Sequence, residues 1–229
     1  MKNDGQAGRY DWADAPQTAF PIARPGKGVI LSLAFVTAVF AVLGLRGLSL
    51  ASLAACGFSA YFFRDPDRLV PRGEGAVVSP ADGRVLSAGR VEEGCACIPG
   101  PCLKVSIFMS LFNVHVNRIP HEGKVVRVDY HPGKFVSASF DKASEKNERN
   151  AVLLETPAGK RLCFVQVAGL IARRIICGLQ AGDVVERGRR FGMICFGSRL
   201  DVYLPPDARL KVAPRERVKA GTSVLGYLK

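Results

Sequence analysis

Residues 194–204 read ICFGSRLDVYL. An apolar run, Met193 to Phe196, and an alternating run, Leu200 to Leu204, flank the pair Gly197-Ser198. That pattern predicts strand, tight turn, strand. The same texture recurs after Gly75. The segments AVVSPADGRVLSAG, LKVSIFMSLFNVHVNRI, GKVVRVDY, NAVLLETPAGKRLCFVQVAG, GMICFG, LDVYLP and ARLKVA are short apolar alternations broken by Gly, Pro and Asp. Strands of about six residues between turn signals predict a mainly β fold, a barrel-like β-sandwich. Helical periodicity is weak there, and Gly169–Gln180 (GLIARRIICGLQ) is the best short helical candidate.

The N-terminal part differs. Residues 1–27 form a polar arm. Gly28 to Leu45 then runs 18 residues without a charge, and Leu48 to Phe63 gives 16 more. The spacing predicts two short helices over 28–63 joined by a tight Arg46-Gly47 turn, a membrane hairpin. Tyr61, Phe62 and Phe63 belong at the interface. Arg24 and Lys27 precede the hairpin, Arg64, Arg68 and Arg72 follow it, and Arg46 sits at its tip. The positive-inside bias therefore places both ends, and the domain 64–229, in the cytoplasm at the cell membrane. Two other readings stay open: a buried helical hairpin of a soluble protein, and a lipoprotein signal ending at the lipobox-like Leu53-Ala-Ala-Cys56. Against the latter, Arg46 interrupts the apolar run and apolar sequence continues past Cys56.

The chain carries 32 Lys+Arg against 20 Asp+Glu, a net charge of +12, which implies an anionic partner. No basic stripe interleaved with aromatics is present, so nucleic acid is not expected and an anionic membrane surface is. The 7 cysteines include Cys95-Ala-Cys97 with Cys102. That set invites a metal, but no fourth ligand stands at a convincing spacing. Reduced, partly buried thiols and no metal are expected.

Two segments, VSPADGRVLSAG and LQAGDVVERGRRFGMI, each set Asp beside Gly between valines. The pattern suits a flattened barrel of β-hammerheads, as in biotinyl and lipoyl carriers. A carrier needs a lysine at an exposed hairpin tip, whereas the second segment leads into Phe196-Gly-Ser198. Four further pieces keep it company: Phe63-Arg-Asp-Pro66, Ser79-Pro-Ala-Asp-Gly83, Phe112-Asn-Val-His-Val-Asn-Arg-Ile-Pro120 and Asn147-Glu-Arg-Asn150. In this order and spacing, the chain from about Tyr61 to its C-terminus resembles the short-form phosphatidylserine decarboxylases.

The resemblance implies self-cleavage between Gly197 and Ser198, giving a β chain (1–197) and an α chain (198–229) that stay associated. It implies that Ser198 becomes a pyruvoyl cofactor, which forms a Schiff base with the serine amine of phosphatidylserine. Loss of CO2 then yields phosphatidylethanolamine, with no metal or nucleotide. It offers His115 and Asp82 as the proton-transfer residues, in a Ser-His-Asp logic. Glycine at 197 suits such a bond, because without Cβ it tolerates strain and lets Oγ approach.

Taken without the resemblance, Asp82 before Gly83 is a common turn aspartate and His115 a structural histidine in a strand. His121 and His131 are loop residues, and Arg149 and Asn150 fit a solvated loop or a headgroup contact. Longer members of the family carry a second His three residues after the first and read Leu-Gly-Ser-Thr at the cut. Here those positions hold Arg118, Phe196 and Arg199. One imidazole must then serve both steps, or water or Asp82 covers one of them. Two rival functions remain on sequence: a soluble pyruvoyl-type amino-acid decarboxylase, and a non-enzymatic, membrane-tethered biotinyl-like module. Acyl-chain preference, a homodimer, and whether the hairpin spans or dips are left open.

Overall fold

The computed structural model describes residues 22–133, 147–169, 175–195 and 198–229. The described chain forms two units. The smaller holds the residues up to Asp67 together with Phe112–Val114; the larger holds Arg68–Leu111 and the described residues of His115–Lys229.

In the smaller unit, α1 (Arg24–Val42) and α2 (Arg46–Phe62) pair as a hairpin. Pro25 opens α1, where its missing N–H costs nothing. The turn differs from expectation. It lies at Leu43–Leu45, with Gly44 at φ +71°, and Arg46 and Gly47 begin α2. A left-handed residue is needed there, and glycine adopts that conformation without a steric penalty. The helices are joined by small polar groups. Thr37 Oγ1 donates to Ser52 Oγ at 2.9 Å, and Ser52 Oγ donates to the Leu33 carbonyl at 3.2 Å. Such pairs bind helices where hydrophobicity cannot. At the base, Arg64 stacks 3.9 Å from the Tyr61 ring centroid and donates to the Phe112 carbonyl at 2.7 Å. Outward faces are apolar: Leu31, Phe35, Val42 and Leu50 are all exposed.

The larger unit is a mainly β sandwich, as expected. Its principal sheet uses β2 (Gly83–Val91), β3 (Cys102–Met109), β5 (Gly123–His131), β6 (Arg149–Glu155), β7 (Arg161–Ala168), β9 (Val184–Val185), β11 (Ser198–Leu204) and β13 (Arg217–Val218). Their order is β13-β2-β3-β11-β7-β6-β5-β9. Two three-stranded sheets accompany it. One pairs β1 (Ala76–Val78), β14 (Val224–Tyr227) and β12 (Arg209–Leu210); the other pairs β4 (Val116–Arg118), β10 (Arg190–Ile194) and β8 (Ile175–Cys177).

Period-2 alternation divides the large sheet into two buried faces. Val105, Ile107, Leu154, Phe164, Leu200 and Val202 belong to the main core. Cys102, Leu153, Cys163, Val165, Val167 and Tyr203 form a second cluster on the opposite side. β11 is buried along its whole length, so both of its faces read apolar or paired.

Two expectations are corrected. The strands flanking Gly197-Ser198 are not hairpin partners: β10 belongs to a small sheet and β11 to the large one. The helical candidate Gly169–Gln180 falls partly outside the described residues, and its Ile175–Cys177 portion is a strand paired with β10. Its apolar residues answer to the sheet partner, which overrides a marginal helical period.

Candidate active site

Ser198 is the first residue of β11, the strand between β3 and β7. It lies opposite Met109 on one side and Ala168 on the other. The side chain is fully buried, and its hydroxyl donates to Met109 Sδ at 3.3 Å. A thioether is a weak acceptor, so this contact aims the hydroxyl without tying up its proton strongly. Gly197 lies outside the described residues.

Behind Ser198 runs a buried chain of amides that the sequence reading did not find. Asn117 Nδ2 approaches the same Met109 sulfur at 3.8 Å. Gln166 Nε2 donates to Asn117 Oδ1 at 2.9 Å, and Asn150 Nδ2 donates to Gln166 Oε1 at 3.1 Å. All three residues are buried. The signal in the sequence was weak: single amides inside the apolar runs VHVNRI and LCFVQVA. Gly192 permits the arrangement, because a Cβ there would stand 2.2 Å from the Ile176 carbonyl oxygen and 3.1 Å from Gln166 Nε2.

His115 is fully buried and immediately precedes β4. Its carbonyl accepts the Ile194 N–H at 3.4 Å. Four chain steps separate Ile194 from Ser198, a span of at most about 14 Å. Asn117, two residues on, reaches the sulfur that Ser198 touches. His115 and Ser198 therefore belong to one region of the β unit.

Asp82 sits in the Ser79–Gly83 loop, where Ser79 Oγ donates to the Ala81 carbonyl at 2.6 Å. Both carboxylate oxygens are engaged, neither by His115. Arg68 Nη2 donates to Oδ2 at 2.9 Å, and the Ala220 N–H donates to Oδ1 at 2.7 Å. Arg118, standing where longer members have a second His, is buried and donates to the Gly188 carbonyl at 2.9 Å. Arg199 is fully buried against Asp201, with Nη2 donating to Oδ2 at 3.0 Å.

A match to the family model for phosphatidylserine decarboxylase covers residues 56–226. The chain belongs to the phosphatidylserine decarboxylase family. A relative from Syntrophus aciditrophicus (strain SB), named phosphatidylserine decarboxylase proenzyme, is 50% identical over 90% of this chain and 96% of its own. Another of the same name, from Desulfotalea psychrophila (strain LSv54 / DSM 12343), is 47% identical over 93% of this chain and 99% of its own. Family membership gives the site its chemistry class, an enzyme that decarboxylates, and the name proenzyme points to processing.

On the opposite face of the large sheet, the cysteines regroup. Cys95 and Cys97 lie close to Cys163 of β7, a residue that the sequence spacing of Cys95, Cys97 and Cys102 does not bring in. Hydrogen bonds from the Cys163 and Cys97 thiols pull Cys95 down to about 3. The same sharing with Cys95 and Cys97, with burial added, pushes Cys163 well up.

Proposed function

We propose that this chain decarboxylates phosphatidylserine to phosphatidylethanolamine and CO2 after cutting itself between Gly197 and Ser198. The observation that carries the reading is Ser198 itself. It is buried at the head of a central strand, with its hydroxyl aimed and only weakly held, in a chain whose relatives are named proenzymes. The hydroxyl attacks the Gly197 carbonyl and the amide becomes an ester. Elimination then releases the carboxylate of residues 1–197 and leaves dehydroalanine at 198, which water converts to pyruvoyl and ammonia. Holding the Ser198 hydroxyl within its own chain favours the intramolecular attack over plain hydrolysis. A serine hydroxyl needs a base, and His115 is the buried imidazole in the same region.

The pyruvoyl group fits this position, because residue 198 is enclosed between β3 and β7 beside a polar amide chain. When present, its carbonyl binds the substrate amine and accepts the electrons that CO2 leaves behind. The protein's remaining task is to return a proton to the substrate carbon, which we assign to His115. Asp82, fixed by Arg68 and Ala220, acts as a positioning carboxylate that sets the loop leading into β2. After cleavage, residues 198–229 stay bound, because β11 pairs with β3 and β7, β13 with β2, and β14 with β1.

The apolar hairpin supports work on a lipid. Among the described residues, α1 is long and apolar enough to cross a membrane by length and composition. The basic residues at its two ends favour a cytoplasmic catalytic side and an anionic leaflet.

The test is intact mass and activity in detergent. Wild-type protein should yield a 198–229 fragment whose N-terminus reacts with a hydrazine reagent. Ser198→Ala should remain one chain without turnover. An unblocked N-terminal serine, or activity in the Ala variant, would exclude the pyruvoyl mechanism.

A further inference from the structure

Cys95, Cys97 and Cys163 form a cluster on the face of the large sheet opposite Ser198. Their three sulfur atoms all lie within 4.8 Å of one another. Cys95 and Cys97 stand on the connection between β2 and β3, folded tightly by the Ile98 N–H donating to the Cys95 carbonyl at 2.9 Å. Gly94 is required beside it, since a Cβ there would meet the Ile98 carbonyl oxygen at 1.9 Å. Cys163 comes from mid-β7 and is fully buried. Its neighbours Leu162 and Phe164 point into the main core. Cys163 therefore faces away from the Gln166 side, where Ser198 lies.

The donor set has a chemical meaning. Three thiols converging from two separate elements are the ligand class of thiophilic d10 ions. A tetrahedral zinc–thiolate shell with bonds of about 2.3 Å places sulfurs about 3.8 Å apart. The triangle here needs a contraction of less than about 1 Å to reach that.

The surroundings carry both charges: Cys97 Sγ donates to Asp129 Oδ2 at 3.5 Å, and Glu93 and Asp201 line the adjacent cavity along with Lys104 and Arg149. Arg127 Nη2 donates to Cys97 Sγ at 3.5 Å and its Nε pairs with Asp129 at 2.6 Å. Lys104 lines the same cavity of about 370 Å³ as Cys95 and Cys97. Donors to ligand sulfur orient ligands and moderate their charge.

We propose that Cys95, Cys97 and Cys163 bind one zinc-class ion, with solvent from the cavity completing the shell, and that the ion pins the 94–98 turn onto the face of the large sheet opposite Ser198. This does not depend on the decarboxylase reading.

Cobalt is the probe. Full-length protein in mild detergent, reduced and stripped of metal, is titrated with Co2+ and then with Zn2+. The expected result is one equivalent of Co2+, a thiolate-to-cobalt band in the near ultraviolet, and its stoichiometric loss on adding Zn2+. Amide exchange in residues 92–101 should slow with Zn2+ bound. Cys97→Ser and Cys163→Ser should each lower the band by about one third or abolish it, and Cys177→Ser should leave it unchanged. Arg127→Ala should weaken binding by about 10–100-fold. Should Cys163→Ser fail to fold, Cys97→Ser on the half-buried turn carries the comparison. Absence of stoichiometric Co2+, or a band unaltered by loss of Cys97, would overturn the proposal. A disulfide among the three that survives reductant, without cobalt uptake, would overturn it too and make the trio a redox pair.

Discussion

Ser198 donates its hydroxyl to a sulfur that Asn117 also approaches, so Ser198 and the amide chain share one anchor. This has a consequence for His115. General acid–base assistance is worth about 10²–10⁴-fold. His115→Ala should therefore slow cleavage by that order while still letting it finish over days. Turnover per pyruvoyl group in the processed fraction then separates its two jobs. Near wild-type turnover would confine His115 to maturation, and normal cleavage with dead turnover would confine it to decarboxylation. Gln166 invites a different change. Gln166→Met keeps the volume but strips Asn117 Oδ1 and Asn150 Nδ2 of the contacts that Gln166 gives them. A buried polar group left unpaired costs about 1–3 kcal/mol. The variant should unfold at correspondingly lower urea. An unchanged midpoint would mean that the amide chain adds nothing to stability.

Among elements, the segment after Arg68 depends on Arg187. Its guanidinium grips Glu122 with two bonds, 2.7 and 2.6 Å, and donates to the Gly73 carbonyl at 2.6 Å. The Arg187 contact holds the Glu122 carboxyl below its usual range. A lowered carboxylate contributes stability above its unfolded value, about pH 4.3, and loses it as pH falls through the folded value. Because Glu122 is 39% exposed, the contribution is under about 1 kcal/mol. Glu122→Gln should be slightly less stable than wild type at pH 7, and the gap in urea midpoint should start to narrow as pH falls below about 4.3. A gap that is constant with pH would locate the effect elsewhere.

The same scale explains what was legible in the sequence. β3, β6, β7 and β11 have seven or eight residues packed on buried faces, and each was readable. β9, β13 and β14 have two to four residues, too few to show a period. Ser198 was singled out through a resemblance carried by motifs between Phe63 and Asn150, since its own stretch alone reads as strand, turn, strand. The Asn117–Gln166–Asn150 chain and the approach of Cys163 to Cys95 and Cys97 were not readable, because each brings side by side residues that lie far apart in sequence. Arg46 misled because a charge between apolar runs looks like a turn, whereas Gly44 makes it.

Across the whole molecule, the proposed function rests on two forces toward a lipid surface: the apolar hairpin and a net charge of +12. They respond differently to salt. Attraction of basic residues to anionic lipid falls within a Debye length, about 10 Å at 0.1 M salt and about 3 Å at 1 M. Burial of the hairpin's exposed Leu, Val and Phe side chains is insensitive to that screening. Deleting residues 1–60 removes nearly all of α1 and α2 but keeps Tyr61 and Arg64, which hold the Phe112 carbonyl three residues before His115. The truncated chain should keep much of its self-cleavage, since Ser198, His115 and the amide chain all lie after residue 75. It should float with anionic vesicles at low salt and leave them at 1 M, whereas the full chain should stay bound at both. If the truncated chain stays on vesicles at 1 M salt, an apolar surface of the β unit, not the hairpin, is the anchor. If the full chain leaves at 1 M salt, charge alone holds the enzyme to its substrate, and the hairpin neither spans nor dips into the bilayer.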